Sequence, residues 1–249
     1  MLPPASPTTP GHPPADERLR RYVPADLLDL PESAAGEREA RILAHLSAAH
    51  TALASYLPRL VRREALGGRS DPPWLRWITG SLLFADLSGS TALAERLGAL
   101  GREGTEIVTD FLNSIFATMA EVVQAYGGDL VAFGGDALLA LFEGPDHPQV
   151  AAAAALALQR ALRGYVRSVP GVGDFPMHLH IGIESGRAAA VGAGDRRELL
   201  YGVLGSAVNG VAAAEAHAGP GEVVAGPQAW AQIRHLATGV EVAPSFVRL

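Results

Sequence analysis

Two aspartates carry the chemistry that this sequence offers. Asp86 lies in Ser81-Leu82-Leu83-Phe84-Ala85-Asp86-Leu87-Ser88-Gly89-Ser90-Thr91, and Asp136 lies in Leu130-Val131-Ala132-Phe133-Gly134-Gly135-Asp136-Ala137-Leu138-Leu139-Ala140-Leu141-Phe142. Each ends a short apolar run, and each stands beside residues that favour phosphate. Two carboxylates are what a pair of hard divalent cations requires when positions must stay open for a triphosphate. Each aspartate also has a plainer reading, Asp86 as a strand-end residue capping the next helix and Asp136 as a turn aspartate. His178 and His180 alternate along a strand-like stretch and so share a face, which suits a transition metal, but no third ligand is evident.

Positioning those groups takes a regular scaffold. Ser81 to Leu87 reads as a central buried strand, with Ser90 or Thr91 able to cap the helix after it. A long helix follows Gly98, with an apolar face from Ile107 to Tyr126 closed by Gly127-Gly128. Leu130 to Phe133 and Ala137 to Phe142 read as a β-hairpin, with Asp136 at its tip. An alanine-rich helix is predicted over 148–166 and a strand over 177–184. Residues 186–204 read as one or two strands with a loop between them. A helix over 206–218, a strand over 222–225, a helix over 227–236 with Pro227 at its first position and a last strand from about Val240 complete the pattern. Interleaved strands and helices around a hairpin imply an α+β sandwich.

Upstream, residues 1–16 are rich in Pro, Ser, Thr and Gly and are expected to form a disordered leader. Apolar residues from Ile42 to Leu57 recur at helical spacing until Pro58 interrupts them, with a short second helix through Leu66. This helix reads as a strut on the following domain, or else as a dimerisation or signal-transmitting element. The segment from Gly67 to Pro73 is a break. The expected organisation is a leader over 1–16, a helical extension over 17–75 and a main domain over 78–249.

Composition narrows the function classes. A chain of 249 residues, 48% hydrophobic, supports one substantial core and an appendage. With 26 acidic against 20 basic residues, a net charge of −6 and no basic block, nucleic acid is not an expected partner. The absence of cysteine removes disulfides and thiolate metal sites and suits a cytoplasmic protein. There is no apolar run of about 18 residues and no secretion-signal pattern, so no membrane association is expected. The glycines at 186, 192, 194 and 205 do not form a dinucleotide-binding fingerprint, and no Ser-His-Asp arrangement is suggested.

Taken in order over roughly residues 78–240, these segments resemble the catalytic domain of the class III adenylate and guanylate cyclases. Phe84 to Thr91 resembles the family's first metal segment, and Gly135-Asp136-Ala137-Leu138-Leu139-Ala140 its second. Ile181 to Gly186 resembles its central strand, and Tyr201 to Asn209 its loop and following helix. The resemblance implies a ferredoxin-like βαββαβ sandwich with helices packed on a mixed, mainly antiparallel sheet. It implies ATP or GTP as the nucleotide, two ions of Mg2+ or Mn2+, and a homodimer or a heterodimer with a second cyclase domain. Asp86 and Asp136 would hold the metals, with the Leu87 carbonyl as an extra ligand. Ser88, Gly89, Ser90 and Thr91 would receive the β- and γ-phosphates at a helix N-terminus, with Gly135 beside them. Asn209 stands where an amide helps orient the ribose. The implied reaction forms a 3′,5′-cyclic nucleotide and pyrophosphate.

Other positions depart from the family. Ala132 stands where a lysine usually reads adenine, Gly202 where its aspartate or threonine companion stands, and Ala213 where an arginine meets the developing phosphorane charge. His180 replaces a triphosphate-binding arginine. Removing one preorganised donor costs about 2.7 to 4 kcal/mol of transition-state stabilisation, roughly a hundred- to a thousandfold in rate. Three explanations remain open: a metal-bearing half of a heterodimer, a nucleotide-binding regulatory or dimerisation module without turnover, or a divergent cyclase in which Arg187, Arg196 or Arg197 substitutes for the missing cation.

Overall fold

The computed structural model describes residues 19–20, 22–28, 35–55, 57–67, 72–195 and 198–249, with backbone alone for 51–55. The predicted leader over 1–16, most of the break before the main domain, and Arg196 and Arg197 lie outside the described residues. The chain divides into two units, Met1–Leu57 and Pro58–Leu249. The first contains α1 (Ala25–Leu28) and the 21-residue α2 (Ala35–Ser55). Within it His45 Nε2 donates to the Tyr22 carbonyl at 3.0 Å.

The second unit runs α3 (Arg59–Leu66), β1 (Trp74–Ser88), α4 (Ser90–Gly98), α5 (Arg102–Ala125), β2 (Asp129–Gly134), β3 (Ala137–Phe142), α6 (His147–Ala161), β4 (Val166–Val169), β5 (Gly173–Pro176), β6 (His178–Gly194), β7 (Leu199–Leu204), α7 (Ser206–Glu215), β8 (Val223–Ala225), α8 (Pro227–Ile233), β9 (Val240–Ala243) and β10 (Phe246–Arg248). The main sheet has the order β2-β3-β1-β6-β8-β10-β9, with β7 paired to β6. Only β6 and β8 pair in parallel; the other ladders of this sheet are antiparallel. The segment from β1 through β6 is the expected βαββαβ connection.

β1 alternates its side chains between two cores. Leu83, Ala85 and Leu87 face Leu138, Ala140, Leu179 and Ile181, beneath apolar residues of α4, α5, α6 and α8. Ile78 and Leu82 face the other way, with Leu141, Ala188 and Ala190, and are covered by Leu60 of α3 and Ala207 and Val211 of α7. Burial on both faces explains why the middle of β1 reads as a continuous apolar run.

Polar anchors fix the covering helices. The Asp129 carboxylate accepts the N–H groups of Arg59 at 2.7 Å and Leu60 at 3.0 Å, so the first turn of α3 is capped from β2. Glu64, only 3% exposed, pairs with Arg76 of β1. Glu184 is 4% exposed and accepts N–H bonds from Ser185 at 2.7 Å and from Ala229 at the start of α8 at 2.8 Å. Burial raises the Glu184 pKa, and these N–H donors pull against that rise.

Three element boundaries differ from the sequence reading. β1 begins at Trp74 rather than Ser81, because Trp74, Trp77, Ile78 and Thr79 are good strand formers that pair with β6. β6 continues through Gly186 to Gly194, since Gly186 pairs with Gly80 without interrupting the ladder. The alanine-rich helix stops at Ala161, and β4 and β5 form a separate two-stranded sheet that local periodicity did not announce.

The seat of α7 lies on a strand glycine. A Cβ at Gly182 would fall 2.4 Å from both the Glu215 nitrogen and the Val211 carbonyl oxygen. Because both obstacles are backbone, the helix itself must move. Gly182→Ala is expected to destabilise the domain by about 1–3 kcal/mol, measured by urea unfolding; unchanged stability would contradict this packing.

Candidate active site

The site forms where β1 ends beside the turn between β2 and β3. Asp86 pairs across the ladder with Ala137 on one side and His180 on the other, so its position is set from both flanks. The Leu87 N–H donates to the Asp136 carbonyl at 3.2 Å and ties the end of β1 to the hairpin turn. This brings the two carboxyl groups close enough for the charge of Asp136 to act on Asp86, both half-buried at the rim of the sheet.

Asp86 is held above its ordinary carboxylate range, first by burial and then by the charge of Asp136. The His180 ring and the Leu87 N–H act in the opposite sense. Glu215, at the last turn of α7, is also pushed up, by burial and then by the charge of Asp86, with His180 again opposing. His180 therefore stands among carboxylates of two elements, and its Nε2 is shielded and without a hydrogen-bond partner.

After Ser88 the chain turns at Gly89, whose φ of 96° suits glycine. A Cβ there would also meet the Pro176 carbonyl at 2.7 Å. α4 begins at Ser90 with no side-chain cap on its first N–H groups. Ser90 is 7% exposed, and its hydroxyl lies within hydrogen-bond distance of two acceptors, Asp136 Oδ2 at 2.5 Å and the Leu87 carbonyl at 3.1 Å. Ser88 Oγ bonds the His178 carbonyl at 3.2 Å, while Thr91 and Gly135 are exposed.

The donor set fits a hard divalent cation. Its atoms are carboxylate and carbonyl oxygens, and the charge of Asp136 that raises Asp86 is what a cation between them would offset. Among the described residues no three His, Cys, Asp or Glu side chains form a metal-binding group. The remaining positions would thus fall to phosphate and water, which is how Mg2+ is commonly held. The same observation leaves the His178 and His180 pair without a third ligand; His178 is exposed, while His180 faces Asp86.

Asn209 makes none of the contacts described above. It is exposed in the first half of α7, six residues and about 9 Å of helix axis from Glu215. Ala213, four residues on, is exposed as well, and so is Ala132 on β2.

Residues 79–241 match the family model described as the adenylate and guanylate cyclase catalytic domain. The chain belongs to this family. Human adenylate cyclase type 10 is 28% identical over 184 residues, which cover 72% of this chain and 11% of that protein. The chain therefore spans about a ninth of that relative's length. The solved guanylyl cyclase Cya2 is 28% identical with a TM-score of 0.54, over 71% of this chain and 91% of its own. The adenylyl cyclase CyaB from P. aeruginosa is 21% identical with a TM-score of 0.57, over 70% and 93%, and shares the fold. Among the described residues no helix is long and apolar enough to cross a membrane.

One residue and one contact escaped the sequence reading. Glu215 reaches the site because α7 descends onto Gly182, and a glycine inside a strand was the available signal of close backbone approach. The contact of Ser90 with Asp136 joins residues 46 positions apart and left no local trace.

The raised pKa of Asp86 has a thermodynamic sign. A carboxyl whose folded pKa lies above its unfolded value favours folding below the unfolded pKa, and that contribution is lost as pH rises through the folded value. In metal-free protein, Asp86→Asn is therefore expected to raise the thermal midpoint at pH 7, with the gain vanishing below the ordinary aspartate value of 3.8. A lower midpoint at neutral pH would refute the assigned repulsion.

Proposed function

We propose that this domain binds ATP or GTP with two divalent cations, Mg2+ or Mn2+, and contributes the metal-holding half of a cyclising active site. The observation that carries the reading is the juxtaposition of Asp86 and Asp136 at the rim of the sheet, beside an uncapped helix start. Asp86, Asp136 and the Leu87 carbonyl would hold the cations, which supply charge neutralisation for the phosphates and activation of the attacking hydroxyl. The turn from Ser88 to Thr91, with Gly135 opposite, would receive the β- and γ-phosphates on N–H groups. Gly89 keeps that turn open, since any side chain there meets the Pro176 carbonyl.

In the cyclisation the ribose 3′-oxygen attacks the α-phosphorus in line, a 3′,5′-cyclic nucleotide forms and pyrophosphate leaves. Orienting that hydroxyl and meeting the new charge are separate tasks from holding the triphosphate. Asn209 is assigned to the first task, across the boundary with a partner cyclase domain. For the second, and for reading the base, this chain presents Ala213, Ala132 and Gly202, so a partner would supply those groups to the Asp86 site. The same three residues favour a second reading, a regulatory module that binds the nucleotide without turnover. A cytoplasmic location, where nucleoside triphosphates are plentiful, fits either.

Cyclic nucleotide formation from ATP and from GTP with Mn2+ tests the proposal. The chain alone is expected to turn over poorly, and Ala132→Lys with Ala213→Arg to raise kcat/KM by about a hundredfold or more. Fast turnover by the unmodified chain would remove the need for a partner. No gain in the double variant, with nucleotide binding retained, would favour the regulatory reading. Metal-dependent nucleotide binding that survives Asp86→Ala would end the metal assignment.

A further inference from the structure

The Ser90 side chain touches two of the three groups assigned above to the cations. Its hydroxyl lies 2.5 Å from Asp136 Oδ2 and 3.1 Å from the Leu87 carbonyl. A hydroxyl has one proton, and the shorter contact has the length of an O–H···O bond to a carboxylate, so the proton goes to Asp136. Leu87 is tied independently to the same aspartate by its N–H bond to the Asp136 carbonyl at 3.2 Å. Ser90, 7% exposed, thus closes a small ring between the end of β1, the start of α4 and the turn of the hairpin.

We propose that Ser90 is a positioning residue for the metal site: it fixes the Asp136 carboxylate through Oδ2 and leaves Oδ1 for the cation. This rests on the assignment of Asp136 as a ligand, and it changes the part expected of Ser90. The side chain serves the carboxylate, and only its N–H is left for phosphate. Three features suit Ser90 to the task. As the first residue of α4 its backbone is set by the helix, its burial limits replacement of the bond by water, and its donor partly offsets the charge that Asp136 presents to Asp86. A ligating carboxylate commonly needs such a partner, and losing one typically weakens metal binding about 10–100-fold.

The test is a titration of the full chain with Mn2+ alone, following free Mn2+ by electron paramagnetic resonance, beside thermal melts of the metal-free proteins. Ser90→Ala is expected to weaken Mn2+ binding about 10–100-fold with little change in melting temperature. Ser90→Thr, which keeps the hydroxyl, is expected to bind like the native chain. A purely structural role would do the reverse, lowering the melting temperature and sparing the affinity. Should Ser90→Ala fail to fold, Ser90→Cys, of similar size and a weak donor, replaces it with the same expected loss. Native affinity in the alanine or cysteine variant, with binding lost in Asp136→Ala, would overturn the role of Ser90 and leave the metal assignment standing. Equal binding by the native chain and Asp136→Ala would end the metal assignment, and this role with it.

Discussion

The candidate site depends on β1 being paired along both edges. Asp86 is opposed to Ala137 of β3 and to His180 of β6, so it cannot withdraw from Asp136 without opening two ladders at once. The strand is held down by Leu83, Ala85 and Leu87, each at most 1% exposed. Burying one leucine side chain contributes about 1.5–3 kcal/mol. A few such residues outweigh the repulsion of two half-solvated carboxyl groups, and the fold can therefore hold like charges together in advance of any cation. The same pairing fixes what else arrives: β6 delivers His180, and Gly182 two residues on admits α7 and with it Glu215.

Much of this arrangement was legible in the sequence, and the limit falls at the range of the signals. The central apolar runs of β1, β2 and β3 and the Gly-Gly-Asp turn are local patterns with local causes, and the structure has them where expected, whereas the cap expected from Ser90 or Thr91 falls to Gly89, with no side-chain cap. The outer half of β1 was not legible, since Trp74, Leu75 and Trp77 are only partly covered and lack a buried-strand signature. The strand expected over 177–184 and the strand expected after Gly186 are one strand, β6, because Gly186 passes opposite Gly80 in an intact ladder. β4 and β5 are four residues each and pair only with one another, which is too little periodicity to register. At the site, residue types announced the carboxylates. The roles of Ser90 and Glu215 come from contacts between distant segments, and neither composition nor spacing encodes those.

The geometry of α7 bears on how a complete site is assembled. Ala207, Val211 and Ala214 recur at helical spacing on its buried side, so Asn209 and Ala213 project outward. On the proposed reading, an outward amide would serve a nucleotide held by a neighbouring domain rather than one held at Asp86 of the same chain. The proposed site is composite, with carboxylates from one partner and orienting groups from the other. In a symmetric pair of this chain both sites would carry Ala132 and Ala213 and both would be deficient. In an unlike pair the deficiency divides: the site using this chain's carboxylates can be completed by the partner, while the other site receives alanine where a cation is needed. On the proposed reading, such a pair would hold one competent site and one silent site. Asp86, Ser90 and Asp136 would then belong to the competent one, and the silent one would be left as a place for a nucleotide to bind without reacting.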